Sequence, residues 1–200
     1  MAIRPGTARW IAMTRMKGLW LVEETVQKYQ NGRLEVSEDQ VVRPDGKPGT
    51  FATVRMKPGV SVLAIDDLAQ VYLTSEYRYA VERESIEVVS GGIDEDEPPL
   101  VAARRELREE LGIEAAQWIN LGLVDPFTSA IHSPATLFLA RKLSLVKPEP
   151  EGTELIKVLK LDLGEAVRMV MASEITHGPS CILILKTYHF LNSEKADISR

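Results

Sequence analysis

Three glutamates stand close together in one short stretch of this 200-residue chain: Glu106, Glu109 and Glu110. If that stretch is helical, spacings of three and four residues place the three carboxylates on one face. Crowded like charges repel each other, and clustered oxygen ligands are what a hard divalent cation such as Mg²⁺ binds. The pattern therefore predicts a magnesium site, with Mn²⁺ as a substitute ion. The alternative interpretation is a solvated acidic face that neighbouring arginines partly neutralise.

A helix is the element that must carry these glutamates. Its apolar face is indicated by four residues at helical spacing, Leu100, Ala103, Leu107 and Leu111. Pro98 and Pro99, preceded by acidic residues, are typical of a helix start, and Gly112 is a natural stop. We therefore predict an amphipathic helix over Pro98–Leu111.

Around this helix the chain is predicted to consist mainly of strands. Leu19–Val26 and Arg33–Val42, separated by a turn at 30–32, indicate an N-terminal β-hairpin. Six further extended runs are predicted, namely Thr50–Met56, Val60–Ile65, Gln70–Leu73, Ile86–Val89, Trp118–Val124 and Thr136–Ala140. Two closing helices are predicted at Gly164–Ala172 and Ser180–Leu191. This order indicates an α/β fold, a mixed sandwich with an added N-terminal β unit.

The domain organisation follows from this order of elements. We predict a β-rich N-terminal segment at 1–57, a main domain at 58–193 that carries the predicted metal site, and a polar tail at 194–200. With 44% hydrophobic and 26% charged residues, the chain can bury one substantial core plus an accessory segment.

Composition also limits the classes of partner. A net charge of −5, spread along the chain, predicts no nucleic-acid partner. No apolar run approaches the roughly 20 residues that cross a bilayer, so we expect a cytoplasmic protein with no membrane partner. The single cysteine, Cys181, excludes an internal disulfide and a Cys-based zinc site, and we interpret it as a small core residue.

The spacing around the glutamates extends into a longer motif. Gly91, five residues, Glu97, seven residues and then Arg105–Ile113 (R-E-L-R-E-E-L-G-I) match the Nudix box at every defining position. The chain therefore resembles the Nudix hydrolase family. The resemblance implies an α/β/α sandwich with a mixed sheet, in which the box forms a loop, a helix and a second loop.

The resemblance implies a role for each box residue. The expected metal ligands are Glu106, Glu109, Glu110 and the backbone carbonyl of Ser90, with Glu109 as a ligand or a bridge between ions. Glu109 and Glu110 are accordingly the candidate catalytic residues of the helix. Gly91 is expected to permit the tight backbone between strand and loop. Arg105 and Glu97 are expected to form a supporting pair that orients the carboxylates.

A base that activates or positions water is expected from a loop outside the box. The segment at 149–154 (E-P-E-G-T-E) falls where ADP-ribose pyrophosphatases carry an acidic loop. Glu154 is the first candidate for this catalytic residue and Glu151 is the second. The alternative is a polar surface loop whose acids have no catalytic role.

The resemblance covers most of Val42–Leu191 and is closest to the ADP-ribose and nucleoside-diphosphate-sugar pyrophosphatases. It is carried by R-P-D-G-K at 43–47, by E-Y-R at 76–78 and by I-E-V-V-S-G entering the box. It implies that Arg78 contacts a substrate phosphate, for which a guanidinium is well suited. Alternatively, Arg78 ends a strand in solvent.

The N-terminal hairpin matches the part that, in similar enzymes, pairs two subunits and helps to enclose the nucleobase. A homodimer is therefore implied, with Trp20 as a candidate for stacking on the base. A core or dimer-interface position for Trp20 is the alternative. The loop at 125–134 departs from the subgroup pattern, because it lacks Ser-Pro-Gly. Phe127, Ser129 and His132 are candidates for selecting the substrate's terminal group, and His132 is otherwise a loop histidine with no catalytic role.

The implied reaction is hydrolysis of the diphosphate linkage in a small-molecule nucleotide, either ADP-ribose or a related nucleoside diphosphate sugar. Its products would be a nucleoside monophosphate and a sugar phosphate. One alternative is a Nudix hydrolase of another nucleotide, a dinucleotide cofactor or a nucleoside triphosphate. The other alternative is a non-catalytic ligand sensor. The complete set of three glutamates argues against it, because a sensor does not need all three.

Overall fold

A computed structural model describes residues 10–11, 14–147 and 156–198 of the chain, with side chains at 14–147 and 156–194. The chain forms two compact units. The first comprises the described residues up to Lys57 together with Phe127–Ser133. The second comprises Pro58–Pro126 and the described residues from Pro134 onwards.

The first unit is built on a six-stranded sheet. Its strands are β1 (Trp10–Ile11), β2 (Arg15–Lys17), β3 (Trp20–Gln30), β4 (Leu34–Val42), β5 (Pro48–Met56) and β11 (Ile131–His132). Their order is β1-β3-β4-β5-β11, with β2 beside β3, and all pairs are antiparallel except β5 with β11. The hairpin turn between β3 and β4 is closed by the Asn31 side chain, whose Oδ1 accepts from the backbone N–H groups of Arg33 at 2.8 Å and Leu34 at 2.9 Å.

The second unit is built on a seven-stranded mixed sheet. Its strands are β6 (Gly59–Ile65), β7 (Gln70–Arg78), β8 (Arg83–Glu87), β9 (Val89–Gly92), β10 (Ile113–Val124), β12 (Ala135–Leu145) and β13 (Lys157–Asp162). The order is β10-β12-β6-β7-β13, with β8 beside β7 and β9 beside β6. Only the β6–β12 pair is parallel among the strand pairs described in this sheet.

Three helices cover the two faces of this sheet. Helix α1 (Pro99–Leu111) packs on one face, and α2 (Leu163–Met171) and α3 (Gly178–Ile198) pack on the other. Alternation along β6 separates the two cores, because Val62 packs in the cluster of Leu107 from α1 and Leu63 in the cluster of Leu183 from α3. A strand buried on both faces is mostly apolar, and in β6 the run Val62–Ile65 is apolar and buried. The α/β sandwich that the sequence predicts is confirmed.

Several element bounds differ from the prediction. The run Ile86–Val89 is divided between β8 and β9, because the chain changes neighbours from β7 to β6 at Val88. Helix α3 continues to Ile198, through most of the segment predicted as a polar tail. Strand β13 was not predicted, since it pairs at the sheet edge and its residues are exposed or half-buried. Within the described residues, no helix is both long enough and apolar enough to span a bilayer.

Candidate active site

Helix α1 carries the three glutamates, and its caps and its buried face fix its position. Pro98 is the extended N-cap residue, and Gly112 ends the helix in the left-handed region at φ 59°, its N–H donating to the Arg108 carbonyl at 2.9 Å. Leu107 is fully buried against the sheet. All three glutamates on this helix are half-buried.

The carboxylate of Glu106 lies directly against the α-carbon of Gly91. A Cβ added at residue 91 would be 1.9 Å from the carboxylate carbon of Glu106 and 2.0 and 2.4 Å from its oxygens. Glycine is thus required here by a close approach of a functional side chain. This reason differs from the predicted one, since Gly91 is not among the glycines with a positive φ. The contact joins Gly91, the residue after Ser90 in β9, to the turn of α1 that carries Glu106, Glu109 and Glu110, which we call the acidic turn.

Arg105 ties the acidic turn to the loop that precedes the helix. Its Nε and Nη2 donate to the two carboxylate oxygens of Glu97, both at 3.0 Å. Its Nη1 donates to Glu106 Oε1 at 2.8 Å and Glu109 Oε2 at 3.2 Å, while Nη2 also donates to the Gly92 carbonyl at 3.0 Å. The pair with Glu97 and the contact with two box glutamates match the supporting role that the resemblance implies.

These contacts keep the groups charged. The hydrogen bonds from Arg105 hold the pKa of Glu97 below its ordinary value, against a smaller opposing effect of burial. Conversely, the hydrogen bond to Glu97 raises the pKa of Arg105. The pair is therefore ionised at neutral pH and orients the two box carboxylates by charge-assisted hydrogen bonds.

The donor set fits a hard divalent cation. Carboxylates and a backbone carbonyl are oxygen ligands, which Mg²⁺ and Mn²⁺ bind, and the Glu106 carboxylate is seated beside the Ser90 end of β9. In the described part of the chain, no three acidic, His or Cys side chains converge as a ready-formed metal site. Here Arg105 lies between Glu106 and Glu109. The assignment of Ser90, Glu106, Glu109 and Glu110 as metal ligands therefore stays a prediction.

Arg78, at the end of β7, is held by two carboxylates. Its Nε and Nη2 donate to Glu87 at 3.2 and 2.8 Å, and its Nη1 lies 2.7 Å from Glu76 Oε2. The hydrogen bonds to Glu87 raise the pKa of Arg78, and the charges of Glu76 and Glu110 add to this effect. Arg78 is thus not a free strand end in solvent, although 39% of its side chain stays exposed. Its role as a phosphate contact stays a prediction.

Sequence reasoning missed the partner that holds Arg78. The sequence places Glu87 in a predicted strand and indicates no role for it, yet its side chain is 7% exposed and lies 3.5 Å from His177 Nδ1. A carboxylate inside the apolar run Ile86–Val89 was the available signal, because a buried charge needs a partner. His177 had been given no role.

Five candidate residues belong to the first unit or fall outside the described residues. Trp20 belongs to the first unit, where it packs edge to face on Phe51 with ring centroids 5.6 Å apart. Phe127 and Ser129 also belong to the first unit, and both are exposed. Glu151 and Glu154 fall outside the described residues. The proposed roles of these five residues stay predictions.

Comparison with known proteins supports the family assignment. The sequence model of the NUDIX domain matches residues 55–173. The ADP-ribose pyrophosphatase of Bacillus subtilis (strain 168) is 28% identical over 160 residues, which cover 78% of this chain and 86% of that protein. The ADP-ribose pyrophosphatase of Mycobacterium tuberculosis is 32% identical over 143 residues, covering 70% of this chain and 69% of that protein.

A solved structure shows the same fold. The crystal structure of an ADP compounds hydrolase superposes with a TM-score of 0.77 over 90% of this chain and 98% of that chain, at 18% identity. The domain match spans more than half of the chain and includes the whole box, from Gly91 to Ile113. The chain therefore belongs to the Nudix family and is a Nudix pyrophosphohydrolase.

Proposed function

We propose that this protein hydrolyses the diphosphate linkage of ADP-ribose or a related nucleoside diphosphate sugar with Mg²⁺, for which Mn²⁺ can substitute. The products would be a nucleoside monophosphate and a sugar phosphate. The observation that carries the proposal is the Glu106 carboxylate, seated on Gly91 and tied through Arg105 to Glu97 and Glu109. Relatives named ADP-ribose pyrophosphatase support the choice of substrate.

In this proposal the glutamates of α1 and the Ser90 carbonyl would hold the metal ions. Bound there, the ions would neutralise diphosphate charge and lower the pKa of water. The chain itself supplies positioning. Arg105 fixes the carboxylates of Glu106 and Glu109, and Arg78, fixed by Glu87, presents its exposed edge to a phosphate.

Hydrolysis needs a water that attacks one phosphorus while the bond from that phosphorus to the bridging oxygen breaks. The proton of this water must pass to a base. Glu154, with Glu151 as second candidate, is proposed to accept it, on the strength of its place in the acidic loop that similar enzymes carry. His132 is exposed on β11, and the alternative that it has no catalytic role stays open.

The remaining proposals concern recognition and assembly. We propose that Trp20 stacks on the nucleobase and that Phe127 and Ser129 help to select the terminal group of the substrate. A homodimer paired through the hairpin of β3 and β4, in the cytoplasm, is proposed on the same resemblance. Trp20 is half-buried in this chain, which leaves part of its ring free to contact a ligand or a second subunit.

A substrate panel tests the proposed function. The purified protein is incubated with Mg²⁺ and ADP-ribose, other nucleotide sugars, NADH, FAD and nucleoside triphosphates, with and without EDTA. We expect AMP and ribose 5-phosphate from ADP-ribose, with EDTA lowering the rate at least about a hundredfold, because the ions supply both charge neutralisation and an activated water.

Other outcomes of the panel would overturn the proposal. Preferential release of inorganic pyrophosphate from triphosphates would assign a different substrate class. Binding of ADP-ribose without turnover of any compound, in Mg²⁺ or Mn²⁺, would identify a ligand sensor. Full activity in EDTA would exclude the metal-dependent reaction.

A further inference from the structure

A buried polar cluster lies behind Arg78 and joins the start of α3 to the junction of β8 and β9. His177 Nδ1 lies 2.8 Å from Ser180 Oγ and 3.5 Å from Glu87 Oε2. Ser180 is completely buried, and its Oγ accepts from the backbone N–H of Val88 at 3.0 Å. His177, directly before α3, thus lies beside the carboxylate of Glu87, and Ser180, in the first turn of α3, holds the backbone next to it.

The charges of the cluster favour an ionised Glu87. Burial would raise the pKa of Glu87, but the hydrogen bonds from Arg78 outweigh it and leave the pKa below its ordinary value. Burial lowers the pKa of His177, while Glu87 acts in the opposite direction. An ionised carboxylate with fixed hydrogen bonds offers Arg78 a rigid and strongly attracting partner.

Such a partner matters because arginine is long and flexible. A free side chain of this kind loses rotamer entropy when a ligand fixes it. Glu87 accepts hydrogen bonds from Nε and Nη2 of Arg78, and Glu76 pairs with Nη1 of the same side chain. Most of the ordering of Arg78 therefore already exists in the folded chain. The guanidinium remains partly exposed and within electrostatic reach of Glu110 on α1.

We propose that His177 and Ser180 are positioning residues for catalysis: they hold the Glu87 carboxylate, which in turn fixes Arg78 for contact with a substrate phosphate. The inference rests on the proposed function, because only there is Arg78 assigned to the substrate. The competing explanation is purely structural, in which the cluster merely secures the start of α3 against the sheet.

A double-mutant cycle separates the two explanations. Affinity for a non-hydrolysable analogue of ADP-ribose is measured by calorimetry in Mg²⁺, where the ligand is not turned over, for wild type, H177A, R78A and the double variant. We expect H177A to weaken binding about tenfold, as loss of an orienting partner does, and to have almost no further effect in the R78A background. In steady-state assays with Mg²⁺, the same variant should raise KM more than it lowers kcat.

Two further variants sharpen the test. H177N should recover most of the affinity, because an asparagine amide can replace Nδ1 toward Ser180 and Glu87. S180A should resemble H177A in the same cycle. The matched control is H189A, an exposed histidine on the same helix, which should leave affinity and Tm unchanged.

The outcomes distinguish this inference from the proposed function. Equal losses from H177A with and without Arg78, or a loss that follows only the fall in Tm, would establish the structural explanation and overturn the inference. A wild type with no measurable affinity for the analogue would overturn both the inference and the proposed substrate. A wild type that binds the analogue and shows the expected coupling, but does not hydrolyse ADP-ribose, would overturn the proposed function alone.

Discussion

Replacing Glu110 by glutamine is expected to lower kcat about a thousandfold, because the change removes one charge from the carboxylate set that would bind the metal ions. Glu110 is half-buried on α1, one turn beyond Glu106. Glutamine has the same shape, so the packing of α1 should persist. Initial rates with ADP-ribose and saturating Mg²⁺ measure the effect.

Glu114 offers a matched control for this substitution. It is an exposed glutamate at the start of β10, just after the helix. E114Q should keep the wild-type rate, and both variants should keep the wild-type Tm. An unchanged rate for E110Q would remove this residue from the predicted metal shell.

Replacing Gly91 by alanine is expected to lower kcat about a hundredfold with little loss of stability. The new methyl group would occupy the position of the Glu106 carboxylate, with a separation of 1.9 Å to its carbon if nothing moved. The obstacle is the end of a flexible side chain, so the carboxylate can swing away and the backbone need not move. We therefore expect kcat, measured from initial rates, to fall while Tm stays almost unchanged.

The adjacent glycine provides the control. A Cβ at Gly92 would meet nothing within 4 Å, and Gly92 does not have a positive φ. G92A should therefore retain wild-type activity and Tm. A loss shared equally by G91A and G92A would indicate a general effect on the loop, and full activity of G91A would show that the position of Glu106 is unimportant.

The parts of the fold that local chemistry specifies were predictable from the sequence. Helix α1 has a proline start, a left-handed glycine stop and an apolar face, and its predicted bounds differ from the observed ones by one residue. The box spacing predicted the family, which the domain match confirms. It also named Arg105 and Glu97, whose pairing depends only on a helix and the loop directly before it.

What depends on distant neighbours could not be predicted. The change of partner at Val88 is decided by β6 and β7, not by the apolar run itself. The contact of Glu87 with His177 joins residues far apart in the chain, and neither residue belongs to a motif with a fixed spacing. The contact of the Glu106 carboxylate with Gly91 could not be predicted either. A glycine in a sequence shows only that a side chain is absent, and it does not show which group occupies that space.

Binding of Mn²⁺ tests the central claim most directly, which is that the acidic turn of α1 holds divalent cations against a bound diphosphate. Electron paramagnetic resonance can count bound Mn²⁺ with and without a non-hydrolysable analogue of ADP-ribose. We predict that the wild type takes up Mn²⁺, that the analogue strengthens this uptake, and that the double variant E106Q/E110Q binds at least about tenfold more weakly. Equal uptake by the wild type and the double variant, or no uptake by the wild type with the analogue present, would contradict the claim.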